Sequence, residues 1–239
     1  MYHKSAQLYD NLYHFVDYSA ATKKLINFIC HHNPSAKTLL EVACGTGKYL
    51  EQLQNTYQVE GLDISPDMLH LARKRLPDVV FHESNMTQFE LGKQFDVVAC
   101  LFSSIGYVKT VERFYETIAT LKKHVTPGGL LIIEPFFTPN SYWPDRVTLN
   151  IVEQHNLKVA WMYVSKRVED VASLEIHYTV GTPQSISHFT ELHEIGLFSE
   201  LAYERSFAEH GLGLTFDHVG LIGRGLYIGT VGRQSDLLG

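Results

Sequence analysis

Nowhere in this chain do about 18 apolar residues run together, which argues against a membrane-crossing helix. Its first residues, MYHKSAQLYD, hold no basic segment followed by an apolar stretch, so no export signal is expected and a cytoplasmic location is. Cysteine is scarce. The three present, Cys30, Cys44 and Cys100, cannot all pair with one another, and none stands in the C-x-x-C spacing of zinc or redox sites, so reduced, buried thiols are the simplest reading. A basic excess is also missing: 20 Lys and Arg against 26 Asp and Glu give a net charge of -6, unlike a protein built around a nucleic-acid backbone. A local basic pocket stays open. Repeats and low-complexity segments are absent.

What is present, 239 residues of which 45% are hydrophobic, suffices for one sizeable α/β domain with room for an inserted subdomain. Residues 20–32 have helical apolar spacing and end before Asn33-Pro34. Then "TLLEVA" reads as a short buried strand, "KYLEQLQ" as a helix, "VEGLDI" as a strand, and "SPDMLHLARKRLP" as a helix with Ser65 as its cap and Pro66 in its first turn. The alternation continues through "VVFHES", "FDVVACLF", a helix over "TVERFYETIATLKKHV", a turn at "TPGG" and a strand over "LLIIEPFF". Strand and helix in this rhythm predict a doubly wound, mostly parallel sheet. After about residue 137 the helices stop, and four alternating segments, "NIVEQ", "KVAWMYVS", "SLEIHYTV" and "SHFTELHEI", predict an inserted antiparallel β subdomain over 138–195. A capped helix, "FSELAYERSFAEHG", and two strands, "LTFDHVG" and "GLYIGTV", close the chain. Residues 1–137 and 196–239 are thus expected to form one core, with 1–36 as an N-terminal helical cap.

The stretch "TLLEVACGTGKYLEQL" can be sorted by what it lacks. A P-loop needs glycine five residues before Gly47 and Ser or Thr after Lys48, where Val42 and Tyr49 stand. A dinucleotide fingerprint needs glycine three residues after Gly47, where Leu50 stands. What remains is acid-x-A-C-G-x-G (Glu41, Ala43, Cys44, Gly45, Gly47) after a strand, with Asp63 ending the next one. This arrangement resembles the class I S-adenosylmethionine-dependent methyltransferases and implies their Rossmann-like sheet of seven strands. In that family Gly45 and Gly47 would let the backbone approach the methionine part of the cofactor, and Asp63 would accept from both ribose hydroxyls. The resemblance also places Glu41 near the cofactor amine, Ile64 and Met68 over the adenine, Asn85 and Met86 at its edge, and Leu101 beside the cofactor.

Further stretches, among them "DYSAA", "LFSSIGY", "PGGLLIIEPFF", "EIHYTV" and "GRGLYIG", are similar to the nucleotide-sugar amine N,N-dimethyltransferases of the desosamine and mycaminose type, over nearly the whole chain. That resemblance implies a homodimer that methylates a sugar-linked amine. It also implies Tyr18 closing over the cofactor, Tyr107 beside the reacting nitrogen, and His177 projecting toward the site from the inserted sheet. Tyr2 and Arg224 would contact the acceptor's diphosphate, and Phe136 would stand in the acceptor pocket. Whether Tyr107 or His177 takes the amine proton stays open, as do a non-sugar amine and an O-methyl acceptor. His177, His188 and His193 alternate on predicted strands, but with no Cys or carboxylate cluster at ligand spacing no metal is expected.

Overall fold

The computed structural model describes residues 4–232. A 3-10 turn (Ala6–Leu8) leads into α1 (Tyr9–Leu12) and α2 (Tyr18–His32), whose start is capped by the Asp17 carboxylate accepting from the Ala20 N–H at 2.9 Å. There follow β1 (Thr38–Val42), α3 (Lys48–Leu53), β2 (Gln58–Asp63), α4 (Pro66–Arg75), β3 (Val80–Glu83), β4 (Phe95–Cys100), a second 3-10 turn (Ser104–Val108), α5 (Val111–Lys123) and β5 (Val125–Ile133). Ser65 caps α4 ahead of Pro66, as its sequence predicts. Next come β6 (Val147–Gln154), β7 (Leu157–Val168), β8 (Val171–Gly181) and β9 (Ile186–Gly196), then α6 (Glu200–Glu209), β10 (Leu212–Asp217) and β11 (Leu226–Val231).

Seven strands form one sheet in the order β10-β11-β5-β4-β1-β2-β3, parallel except that β11 runs against both of its neighbours. Its central strands are buried on both faces, which is why they read as continuous apolar runs. On β1, Leu39 packs with Leu25 and Ile29 of α2, while Leu40 packs on the other side with Phe114 and Ile118 of α5. The predicted turn at "TPGG" lies inside β5 as an irregularity. Phe95 pairs with Val125 and Val97 with Leu130, so β5 runs five residues forward while β4 runs two, with Gly128 at φ 80°. The predicted final strand residues Glu134 to Phe137 leave the sheet, since β5 ends at Ile133 just ahead of Glu134-Pro135.

The four segments read as an insertion pair antiparallel as β6-β7-β8-β9. One face of this second sheet, carrying Trp161, Ile176 and Tyr178, is buried together with Leu12 of α1. The other face leaves Val147, Leu149, Ile151 and Met162 exposed.

Candidate active site

The glycine corner sits at the carboxyl ends of β1 and β2, beside β4, where strand order reverses in a doubly wound sheet. Three of its five residues have left-handed backbones: Ala43 (φ 58°), Gly45 (φ 54°) and Gly47 (φ 77°). For Ala43 that conformation costs roughly 1–2 kcal/mol, the kind of strain that persists where a site dictates backbone shape. Asp63 fixes the corner by accepting from the Gly45 N–H and the Ser65 N–H, each at 2.8 Å. Burial raises its carboxyl pKa, and these backbone donors offset part of the rise. A Cβ built on Gly45 would enter open space, so this position keeps a cradle clear. Gly47 differs from expectation. A Cβ there would face Leu76, Ala72 and Phe81 in the core, so glycine is required by the left-handed backbone at the start of α3 and not by approach to a ligand. Cys44 likewise turns its sulfur inward toward Gly61 and Phe81, offering the corner only its backbone.

Glu41, 3% exposed, lies under this corner. Its Oε2 has no hydrogen-bond partner among the described residues, and burial, with Asp63 adding to it, pushes its carboxyl well above the usual carboxylate range. It faces a small annex of about 30 Å3, shared with Tyr18, Gly45 and Leu101. That annex adjoins a cavity of about 600 Å3, bounded on the large-sheet side by Asp63, Ile64, Met68, Asn85 and Met86. Its far wall comes from the inserted sheet, through Trp161, Leu174, Ile176 and Ile195, and Tyr9 and Tyr13 close one side. The short N-terminal helix α1, part of the segment expected as a helical cap, is bolted across the corner: Asp10 bonds Arg75, accepts from Thr46 Oγ1 at 2.7 Å, and lies 3.8 Å from Lys48 Nζ.

At the acceptor end, Tyr107 lines the cavity on the Ser104–Val108 turn. The turn nests against β9 because residue 106 is glycine: a Cβ there would stand 2.3 Å from Ile195 Cγ2. Tyr107 Oη is 3.0 Å from Nδ1 of His193, a buried residue. Phe136 and Arg224 also reach the cavity, with the Arg224 guanidinium 5.4 Å from the Phe136 ring and 5.3 Å from that of Phe137. Arg224 donates to Ser103 Oγ at 2.7 Å; burial works against its charge and Glu134 supports it. Glu134 is wholly buried, accepts from the Phe102 N–H at 2.7 Å, and has its carboxyl pushed up to about 7 by burial.

One expectation is overturned. His177 stands on the outer face of β8, exposed, 3.8 Å from Glu175 and beside the His188 ring, while its neighbours Ile176 and Tyr178 face inward. Strand parity sends it away from the cavity. The histidine brought to the site is His193, which in the sequence is only one of three alternating histidines. Tyr2 falls outside the described residues.

The strand order, the glycine corner and the acid on β2 define a class I S-adenosylmethionine-dependent methyltransferase, and a family model described as a methyltransferase domain matches residues 39–129. The chain is 36% identical to a dTDP-3-amino-3,4,6-trideoxy-alpha-D-glucopyranose N,N-dimethyltransferase of Streptomyces venezuelae, over 94% of this chain and 96% of that one. It belongs to the family of amino-sugar N,N-dimethyltransferases. The crystal structure of Streptomyces venezuelae DesVI superposes with a TM-score of 0.91 at 36% identity, covering 96% of this chain and 98% of that chain. S-adenosylmethionine-bound CalS10, an amino pentose methyltransferase from Micromonospora echinaspora, gives 0.83 at 33% identity, covering 90% and 92%. The residues here fit that cofactor: the Glu41 oxygen left without a partner among the described residues suits an ammonium, the space above Gly45 admits a ligand, and Asp63 keeps lone pairs free for a diol.

Proposed function

We propose that this enzyme transfers two methyl groups from S-adenosylmethionine to the primary amine of a nucleotide-linked amino sugar. The observation that carries the acceptor is the wall of the cavity: Arg113, Arg146 and Arg224 all line it, in a chain of net charge -6. Three guanidiniums around one apolar space suit a diphosphate, and Arg146 lies 5.1 Å from the Trp143 ring, leaving aromatic surface for a base. Arg224 is the diphosphate contact in this reading, with Tyr2 joining it, and Phe136 flanks the sugar.

Bound at the corner, the cofactor supplies an electrophilic methyl group on a sulfonium. In this reading Glu41 takes the methionine ammonium in the annex beside Tyr18 and Leu101. Backbone at Ala43, Cys44 and Gly45 borders the methionine, Asp63 the ribose, Ile64 and Met68 the adenine faces, and Asn85 and Met86 its edge. Asn85 Oδ1 already accepts from the Thr87 N–H at 3.0 Å and retains a second lone pair. The protein's part is alignment of nitrogen with the reacting carbon, an effect that can be worth several kcal/mol. In this reading Tyr107, which lines the cavity, stands beside that nitrogen. A second transfer needs the amine neutral again, because an ammonium has no lone pair.

Residues 138–195 serve in this proposal both as acceptor lid, through the inner face of their sheet, and as homodimer surface, through the outer one. Support for the dimer is a contiguous exposed apolar patch: Leu149 lies opposite Met162 and Val147 opposite Val164. A cytoplasmic location accords with the described residues, among which no helix is long and apolar enough to cross a membrane.

The acceptor reading is tested with Arg224→Gln. Loss of a charge-assisted contact of about 1.5–3 kcal/mol should raise KM for a nucleotide-linked amino sugar about ten- to hundredfold. Equal turnover of the free amino sugar and its nucleotide-linked form by the wild-type enzyme would remove the nucleotide from the proposal.

A further inference from the structure

Two buried histidines are employed differently. His124 spends its ring on backbone, Nδ1 at 2.9 Å from the Thr120 carbonyl and Nε2 accepting from the Leu91 N–H at 3.2 Å. It is a packing residue. His193, 2% exposed, is instead strung between a cavity-lining phenol and a carboxylate: Nδ1 at 3.0 Å from Tyr107 Oη, Nε2 at 3.8 Å from Glu191 Oε2. Glu191 is held in turn by the N-terminal segment, accepting from Ser5 Oγ at 2.5 Å and from the backbone N–H groups of Lys4 and Ser5 at 3.0 and 3.2 Å. Burial works against ionisation of its carboxyl, but His193 and these donors keep it low, at about 2. Besides Tyr107 and Glu191, the wall around His193 presents Leu174 directly across on β8, and Tyr178 stands behind Glu191.

We propose that His193 is a positioning residue for methyl transfer: standing beside the Glu191 carboxylate, it orients the Tyr107 hydroxyl toward the cavity and receives its proton, so that the amine proton leaves by way of Tyr107. The step rests on the amine acceptor argued above. After transfer, an N–H bond of the methylated ammonium breaks and its electron pair stays on nitrogen. The proton forms a bond to Tyr107 Oη, the original Tyr107 O–H breaks, and that proton bonds to His193 Nδ1. The imidazolium so formed faces the Glu191 carboxylate, and the neutral secondary amine is ready for a second methyl group. Resetting returns the Nδ1 proton to Tyr107 Oη as the phenol passes its own proton to solvent in the cavity, which restores the Nε2–H imidazole for the next transfer. The step requires the tautomer in which Nε2 bears the hydrogen and Nδ1 accepts. His193 never touches the acceptor; it acts through Tyr107.

The test is a double-mutant cycle with Tyr107→Phe and His193→Leu, measured with an amine acceptor. Each single change should lower kcat about a hundredfold, with KM for S-adenosylmethionine within about twofold of wild type. The double variant should be no slower than the slower single, because both break the same chain. His193→Asn, whose carbonyl can accept from the phenol, should recover part of the lost rate and replaces His193→Leu if that variant does not fold. Multiplicative losses, or a His193 variant with wild-type kcat, would overturn the proposal. Should the wild-type enzyme methylate no amine, the acceptor reading fails by itself. The hydrogen-bonded chain is then judged by nitrogen NMR: the Nδ1 resonance of His193, assigned by its loss in the His193 variant, should shift on Tyr107→Phe, and an unmoved resonance contradicts the chain.

Discussion

Replacing Glu41 by glutamine should move the stability of the free protein and its grip on the cofactor in opposite directions. In the free protein the Glu41 carboxyl is buried, with Oε2 unpartnered among the described residues and its pKa raised by burial and then by Asp63. A folded-state pKa raised above the unfolded value means that ionisation opposes folding. The penalty is absent below the ordinary carboxyl value of about 4.3 and grows as pH rises through the folded value. Glutamine, the same shape without the charge, removes the penalty, so the free variant should melt no lower than wild type at pH 8. The cofactor reverses the balance. A charge-assisted hydrogen bond from its ammonium is worth about 1.5–3 kcal/mol, so S-adenosylhomocysteine should bind Glu41→Gln about ten- to hundredfold more weakly. Binding to a protonated Glu41 must also expel that proton. Wild-type affinity should therefore strengthen with pH up to the free-state pKa of Glu41, while the variant's stays flat. Calorimetry in two buffers of different ionisation enthalpy counts the proton directly. Equal affinities in the two proteins with no proton released, or a free variant markedly less stable at pH 8, would refute this account of the annex.

Glu134, with its pKa near 7, predicts a second pH effect: Glu134→Gln should gain on wild type as pH rises from 5 to 8, by up to about 3 kcal/mol, read as a widening difference in Tm. A constant difference across that range would mean that Glu134 does not titrate there. His177→Ala should leave kcat within about twofold, because the imidazole lies on the outer face of β8, and steady-state kinetics decides it. Gly106→Ala should cost about 1–3 kcal/mol by crowding Ile195 and should also lower kcat by displacing Tyr107, so Tm and rate fall together.

The parallel strands and the corner were legible because they depend on local signals: apolar runs bounded by caps, and residues that fail one glycine motif while meeting another. The insertion was legible too, as alternation without helices. Which side of each strand faced the cavity was not read. On β8 the apolar set Leu174, Ile176, Tyr178 and Val180 carries that parity and would have sent His177 outward. On β9 the inward set includes Glu191 and His193, polar residues that disguise the buried face until Tyr107 and Ser5 are seen to partner them. The latch of Asp10 on Arg75 and Thr46 joins segments 65 and 36 residues apart, and no local pattern announces such a pairing. Gly47 shows the opposite failure: the motif was right and the reason was wrong, since its backbone angle and not its neighbour demands glycine.

The central claim is tested most directly by the mass of the product formed when the enzyme meets S-adenosylmethionine and a nucleotide-linked sugar bearing a primary amine. The account predicts an acceptor heavier by two methyl groups, both on nitrogen, with a monomethyl species rising and falling on the way. An acceptor recovered unchanged, while S-adenosylhomocysteine still raises the enzyme's Tm, would contradict the acceptor and leave the cofactor site standing.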